Sequence, residues 1–275
     1  MAADDSLSRV APPIFSASDR PTTTRGASVI KSFSSGTLFA ERHGTGAPRV
    51  VALHGWGRSA ADFTRVLTGL DGYALDLPGF GSSPEPPEVW DTRLYADAVA
   101  TAIIEMTDAP VVLLGHSFGA RVAVRLAASR PELVSALVLT GAPLARLSAA
   151  SKPSFELRVA KRLHGLGIVS TERLDKLRDK HGSADYRNAR GVMRSVLVSA
   201  VNDSYDEDLR RITCPVSLVW GEHDTAATVA VAKAVQGLLR DASLTVLPGV
   251  GHLTPIEAPQ QLRDAVVSAL AGEPA

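Results

Sequence analysis

Residues 113–122, "LLGHSFGARV", set a serine midway between Gly115 and Gly119, with the small Ala120 directly behind. An apolar run, "PVVLLGHS", leads into it, and an amphipathic helical pattern, "FGARVAVRLAAS", leads away. A tight strand-to-helix turn tolerates little bulk, so glycines on both sides of Ser117 are what such a turn requires. On that reading the hydroxyl of Ser117 stands exposed at a strand end, as a nucleophile. The plainer reading is a glycine turn with a capping serine, since serine is a common helix N-cap.

The surrounding pattern favours the first reading. "GTLFAERHG" and "RVVALHG" read as strands, followed by a helix near 59–70, a strand at "YALDL" and a helix over 92–106. Beyond the serine come strand "ALVLTGAP", then, after a gap, strand "PVSLVWGEHD", a helix over 227–240, strand "SLTVLPGVGH" and a closing helix from "PIEAPQQLRDAVVSAL". Strand–helix alternation of this kind predicts an α/β fold with a doubly wound, mostly parallel sheet, whose ligands collect beyond the carboxyl ends of the strands.

From 144 to 211 the alternation stops. "FELRVAKRLHGLG", "TERLDKLRDKHG" and "NARGVMRSVLVSAV" carry helical periodicity without a strand between them, which predicts an inserted helical lid. The core is then 31–143 together with 212–275. Basic residues outnumber acidic ones in the insertion, among them Arg158, Lys161, Arg162, Arg187, Arg190 and Arg194; a solvated helix surface explains this more simply than an acidic ligand. Leu163, Leu166, Ile168, Met193, Val196 and Leu197 are candidates either for an apolar substrate lining or for the glue between lid and core.

A serine at its ordinary pKa is a poor nucleophile and needs a histidine base oriented by a carboxylate. Two later strand ends supply them: "VWGEHD" ends in Asp224, and "VLPGVGHLTPIEAP" carries His252 just before the last helix. Taken singly, Asp224 reads as a helix N-cap and His252 as a surface loop residue. Together, in the order Ser117, Asp224, His252, they form a Ser-His-Asp arrangement at successive strand ends. Glu222 and His223 compete for the same roles from neighbouring positions. Glu222-His223-Asp224 is a poor metal centre, because adjacent side chains on an extended segment point apart. Acyl transfer also needs donors for an oxyanion. "LHGWGRSA" places the backbone N–H of Trp56 beside that of Phe118, the residue after the serine, with His54 as a brace for the loop. The loop "DLPGFGSS" reads equally as a turn and as a substrate wall.

His54-Gly55-Trp56-Gly57, "DLPGFGSS", "GHSFGA", "WGEHD" and "GHLTPIEAP", in that order, resemble the α/β-hydrolase fold superfamily over nearly the whole chain outside the tail and insertion. The resemblance implies Ser117 as nucleophile, Asp224 as acid, His252 as base, Trp56 and Phe118 as oxyanion hole, and neither cofactor nor metal. Two positions depart from the usual pattern: "TAATV" follows Asp224 where many members have a proline, and Ala120 stands where a second glycine is frequent.

Composition bounds the rest. With 275 residues, 45% of them hydrophobic, the chain can bury a core without staples, and its single cysteine, Cys214, excludes an internal disulfide. The 29 basic and 29 acidic residues balance, so nothing favours nucleic acid or an anionic membrane as partner, and no apolar run reaches spanning length. Residues 1–30, rich in Ser, Thr, Ala and Pro, read as a disordered tail without a secretory core, and Asp4 and Asp5 argue against a transit peptide. The expectation is a cytoplasmic serine hydrolase, carboxylesterase-like, acting on a small-molecule ester. A carbon–carbon bond hydrolase, an acyltransferase, a perhydrolase and a non-catalytic receptor are the alternatives.

Overall fold

The computed structural model describes residues 29–145, 170 and 184–272. The expected tail up to residue 28, and Arg158, Lys161, Arg162, Leu163, Leu166 and Ile168 of the insertion, lie outside the described residues.

Eight strands form one sheet: β1 (Val29–Phe33), β2 (Leu38–His43), β3 (Val50–Leu53), β4 (Gly72–Asp76), β5 (Val111–His116), β6 (Val134–Thr140), β7 (Val216–Gly221) and β8 (Ala242–Leu247). Their order is β1-β2-β4-β3-β5-β6-β7-β8. β2 runs antiparallel to both of its neighbours, and every other pairing is parallel. β3, β5 and β7 are buried along their whole length, which is why their sequences are continuous apolar runs rather than alternating ones.

Helices cover both faces. On one side α1 (Thr92–Met106) and α2 (Phe118–Ser129) bury Tyr95, Val99, Ile103, Val122 and Leu126 against Leu75, Leu113 and Trp220. On the other, α8 (Pro259–Ala271) places Leu262 and Val266 against Val112, Leu114 and Phe63. The remaining helices are α3 (Ala184–Asn188), α4 (Gly191–Asn202), α5 (Asp206–Arg211), α6 (Val229–Gln236) and α7 (Thr254–Glu257).

α2 sits unusually close to β3. Gly119 makes this possible: its N–H donates to the His54 carbonyl at 3.0 Å, and a Cβ there would overlap the Leu53 carbonyl. A Cβ on Gly115 would likewise come within 2.6 Å of Ala120 Cα. The small residues of the opening segment therefore pin the start of α2 between two strand ends.

Several elements differ from the sequence reading. The helix expected over 59–70 is a single 3-10 turn, Ala60–Phe63, followed by turns. Apolar residues at helical spacing, Phe63, Val66 and Leu67, do face the core, but the hydroxyls of Thr64 and Thr68 fold back onto local carbonyls and Gly69 turns the chain at φ 71. The closing helix is split into α7 and α8 at Pro259, which has no N–H to continue the ladder. The helix expected over "NARGVMRSVLVSAV" starts only at Gly191, whose φ of 50 breaks it from α3. The strand Val29–Phe33 and the helix Asp206–Arg211 were not anticipated. The helix was there to find, since "DEDLRR" puts its acids in the first turn and its bases in the last, matching the helix dipole.

α5 and the residues leading into it are tied to α2 by a buried charge cluster. The Arg125 guanidinium pairs with Asp203 and Asp208, donates to Thr92 Oγ1 at 3.2 Å and lies 4.6 Å from the Tyr205 ring centre. Met193, Val196 and Leu197 are all buried; Val196 belongs to the main core, and Met193 lies against Gly79. Val196 thus packs α4 onto the core of the sheet.

Candidate active site

Parallel pairing aligns the carboxyl ends of β3, β5, β6, β7 and β8 at one edge of the sheet, where a doubly wound fold gathers its ligands. The residues singled out in the sequence sit just beyond those ends.

Ser117 follows β5 directly. Its backbone adopts φ 51 and ψ −105, a conformation that an L side chain rarely takes, and it is only partly buried. Strain of this kind amounts to about 1–3 kcal/mol and persists only where its surroundings enforce it. Here they do: the Ser117 N–H donates to the Thr140 carbonyl at 3.0 Å, and Gly119 is locked onto His54 two residues on. The Ser117 side chain makes no capping bond to α2, so the plain N-cap reading does not describe it.

Asp224 and His252 are brought together. The His252 Nδ1–H donates to Asp224 Oδ2 at 2.8 Å, with the Asp224 side chain fully buried and that of His252 28% exposed. The other oxygen, Asp224 Oδ1, accepts from the N–H groups of Ala226 and Ala227, both at 2.8 Å. Asp224 is therefore a turn cap and a histidine partner at once. Burial pushes its carboxyl upward, but the bond from His252 and the two backbone donors outweigh this and hold it below the usual carboxylate range. The competitors are placed elsewhere: the exposed Glu222 accepts from Gly249 N–H at 3.1 Å, and His223 is exposed.

Among the described residues no hydrogen bond joins Ser117 Oγ to His252. Both border the end of β6, since Ser117 bonds Thr140 while a Cβ on Gly141 would stand 3.2 Å from the His252 ring. Contacts of this type are often long in a free enzyme and tighten on substrate binding.

The N–H groups of Trp56 and Phe118 are not engaged by another group among the described residues. The two residues adjoin, with ring centres 5.2 Å apart edge to face. The Trp56 loop is braced twice. His54 donates from Nδ1 to the Gly55 carbonyl at 2.7 Å and accepts at Nε2 from Leu77 N–H at 3.0 Å, while burial lowers its pKa and keeps it neutral. The Asp76 carboxylate accepts from Ala60 N–H at 2.7 Å and Ser82 N–H at 2.8 Å, tying "DLPGFGSS" to the same loop. That loop also contributes Phe80, which packs on Trp56 at 4.9 Å and His54 at 5.4 Å. Tyr95 adds a further ring 5.1 Å from Phe118, giving an aromatic wall beside the two N–H groups.

Three residues near the site were not recognised as such from the sequence. Asp76 holds the loops just described. The Glu257 carboxylate accepts from Gly251 N–H at 2.6 Å and Leu253 N–H at 3.0 Å, fixing the backbone on both sides of His252. His116 is buried behind Ser117, its Nε2–H donating to the His252 carbonyl at 2.9 Å. The spacing "GHLTPIE" is a local signal for Glu257; nothing local reveals the other two.

Burial, and next the proximity of His252, lower the pKa of His116 to about 4, well under that of an unfolded histidine. A histidine held neutral in this way binds fewer protons folded than unfolded between about pH 4 and 6.5, so stability is full above that window and is lost as pH falls through it. The contribution of His116 is about 3 kcal/mol across the window. His54 and His43 are shifted in the same direction by burial, so the share of His116 is read by difference. Urea unfolding at a series of pH values should show a shallower loss for His116→Gln than for wild type; parallel curves would refute the assignment.

Among the described residues no helix is long and apolar enough to cross a membrane, and no three His, Cys, Asp or Glu side chains are grouped to hold a metal ion.

Comparison with known proteins identifies the family. The model of the alpha/beta hydrolase family matches residues 50–265. A pimeloyl-[acyl-carrier protein] methyl ester esterase of Chromobacterium violaceum is 30% identical over 237 residues, covering 78% of this chain and 91% of that protein. Lipase 3 of a Moraxella species is 27% identical over 246 residues, covering 80% of this chain and 76% of the lipase. Among solved structures, a bacterial membrane phospholipase A superposes with a TM-score of 0.68 at 22% identity, covering 90% of this chain and 86% of that one, a likeness of fold. With its eight-stranded sheet, its serine on a strained turn and a family match running from β3 into α8, the chain belongs to the alpha/beta hydrolase family and is a hydrolase.

Proposed function

We propose that the chain is a serine esterase, cleaving small or medium carboxylic esters through an acyl-enzyme with Ser117, His252 and Asp224 as its triad. The observation that carries the proposal is the 2.8 Å bond between His252 and the buried Asp224, beside a serine held at positive φ.

As Ser117 Oγ attacks the ester carbonyl carbon, its proton passes to His252 Nε2, and Asp224 steadies the imidazolium that forms. The carbonyl oxygen becomes an oxyanion and is received by the Trp56 and Phe118 N–H groups. Collapse breaks the C–O bond; His252 returns the proton to the leaving alkoxide, and the alcohol departs. Water then loses a proton to His252 and attacks the acyl-enzyme. The acid is released as the proton returns to Ser117. Trp56 and Phe80, the two partly exposed rings of the aromatic wall, support an apolar substituent next to the reacting carbonyl, and the esterase and lipase names among the relatives support an ester as substrate.

The test is a fluorophosphonate probe together with p-nitrophenyl esters from acetate to octanoate. Labelling confined to Ser117 and turnover of the shorter esters are expected. An unlabelled protein would remove the nucleophile and the proposal with it.

A further inference from the structure

His116 precedes the nucleophile, and its side chain makes its one hydrogen bond among the described residues to the backbone of His252, 136 positions away. It is 1% exposed. The two imidazoles adjoin, tilted by 50°, with ring centres 5.0 Å apart, and the space beside them is tight: a Cβ on Gly141, itself at φ 59, would stand 3.2 Å from the His252 ring and 3.3 Å from His116 Cδ2.

The remaining nitrogen, His116 Nδ1, is buried with no hydrogen-bond partner among the described residues. A buried polar atom left unpaired is destabilising, so a histidine is a poor filler for this space. What it supplies that an apolar side chain does not is the Nε2–H on the His252 carbonyl. The titratable groups around it are His252, Asp62 and Asp224, and His116 itself stays neutral among them.

We propose that His116 is a positioning residue: its Nε2–H ties the backbone of His252 to the strand end that carries Ser117, holding base and nucleophile in register. Glu257 secures the N–H groups on either side of His252, and His116 secures the carbonyl between them. The three bonds together leave the imidazole its side-chain rotation but little backbone freedom. His116 touches no reacting atom. Its effect passes through His252, and the inference rests on the reading of Ser117 and His252 as nucleophile and base.

The experiment compares His116→Gln with His116→Met, two side chains of nearly equal length and shape. Glutamine places an amide N–H near the level of Nε2, and methionine places a methyl there. With p-nitrophenyl butyrate, and active sites counted by fluorophosphonate titration, His116→Met should lose about ten- to a hundredfold in kcat, the scale of a misplaced catalytic group. Its KM should stay within about twofold, since the bond acts on the placement of the base and not on substrate binding. His116→Gln should stay within about threefold of wild type in kcat. Equal losses in both variants would mean that His116 merely fills space, and no loss in the methionine variant would mean that the bond does not matter; either result overturns the proposal. His252→Ala, measured alongside, separates the two levels. Near-wild-type activity there removes the base and this inference together, whereas a dead His252→Ala beside equal Gln and Met variants removes the positioning role alone.

Discussion

Ser117→Ala is expected to lower kcat for p-nitrophenyl butyrate by about 10^4- to 10^6-fold and to abolish fluorophosphonate labelling, while leaving the fold and KM close to wild type. The reason lies in how little else in the site can attack a carbonyl. Without the Oγ, His252 retains its bond to Asp224, and the Trp56 and Phe118 N–H groups remain open. What survives is polarisation of the substrate and general-base activation of water, a residual rate far below that of the acyl-enzyme route. The same position makes a second measurement informative. At φ 51 and ψ −105 the strain comes from the Cβ, which alanine keeps and glycine lacks. Ser117→Gly should therefore be as inactive as Ser117→Ala but about 1–2 kcal/mol more stable in urea unfolding, recovering part of the strain held at the site. An alanine variant retaining a tenth of the wild-type kcat would exclude Ser117 as nucleophile. A glycine variant no more stable than wild type would show that the turn is relaxed in solution.

The sheet was legible because its central strands are buried on both faces, so "VVAL", "VVLLGH" and "VSLVWG" announce themselves as apolar runs. Ser117, Asp224 and His252 were legible for a related reason. Ser117 directly follows such a run and Asp224 stands three residues past another, while His252 follows β8, a less buried strand, by five; the fold dictates where the ends of parallel strands gather. The misreadings share the opposite property. Phe63, Val66 and Leu67 have the spacing of a helix face, yet turns bury them just as well, and spacing alone does not tell the two apart. His54, Asp76 and His116 act on loops that arrive from other parts of the chain, His116 across 136 positions. Although Asp76 also bonds Ser82 and His54 also bonds Gly55 nearby, no short window pairs Asp76 with Ala60, His54 with Leu77 or His116 with His252. His54 was nonetheless read as a brace, because its place at the end of β3 left little else for it to hold.

Asp224→Asn carries the most exacting prediction, because the surroundings decide which way the amide must face. Asp224 Oδ1 accepts from two backbone N–H groups, Ala226 and Ala227, while Oδ2 accepts from His252 Nδ1–H. Asparagine has a single oxygen. Turned toward Ala226 and Ala227, that oxygen keeps two good bonds and leaves the NH2 facing His252; turned the other way, it keeps the one bond from His252, but the NH2 meets two donors and both backbone bonds are lost. The first orientation wins, and it makes His252 Nδ1 an acceptor, placing the ring proton on Nε2. An imidazole in that tautomer cannot take the proton of Ser117. The expected loss in kcat is about 10^4-fold at neutral pH, with KM and urea stability near wild type. Asp224→Ala removes the orienting group without imposing the wrong tautomer, so it should be no slower than the asparagine variant although it is less stable, having lost the cap on Ala226 and Ala227. Two measurements decide the matter: the ranking of kcat between the variants, and the nitrogen shifts of His252 by NMR, which report whether Nδ1 or Nε2 is protonated. An asparagine variant within tenfold of wild type, or one with His252 still protonated at Nδ1, would mean that Asp224 does not set the state of the base.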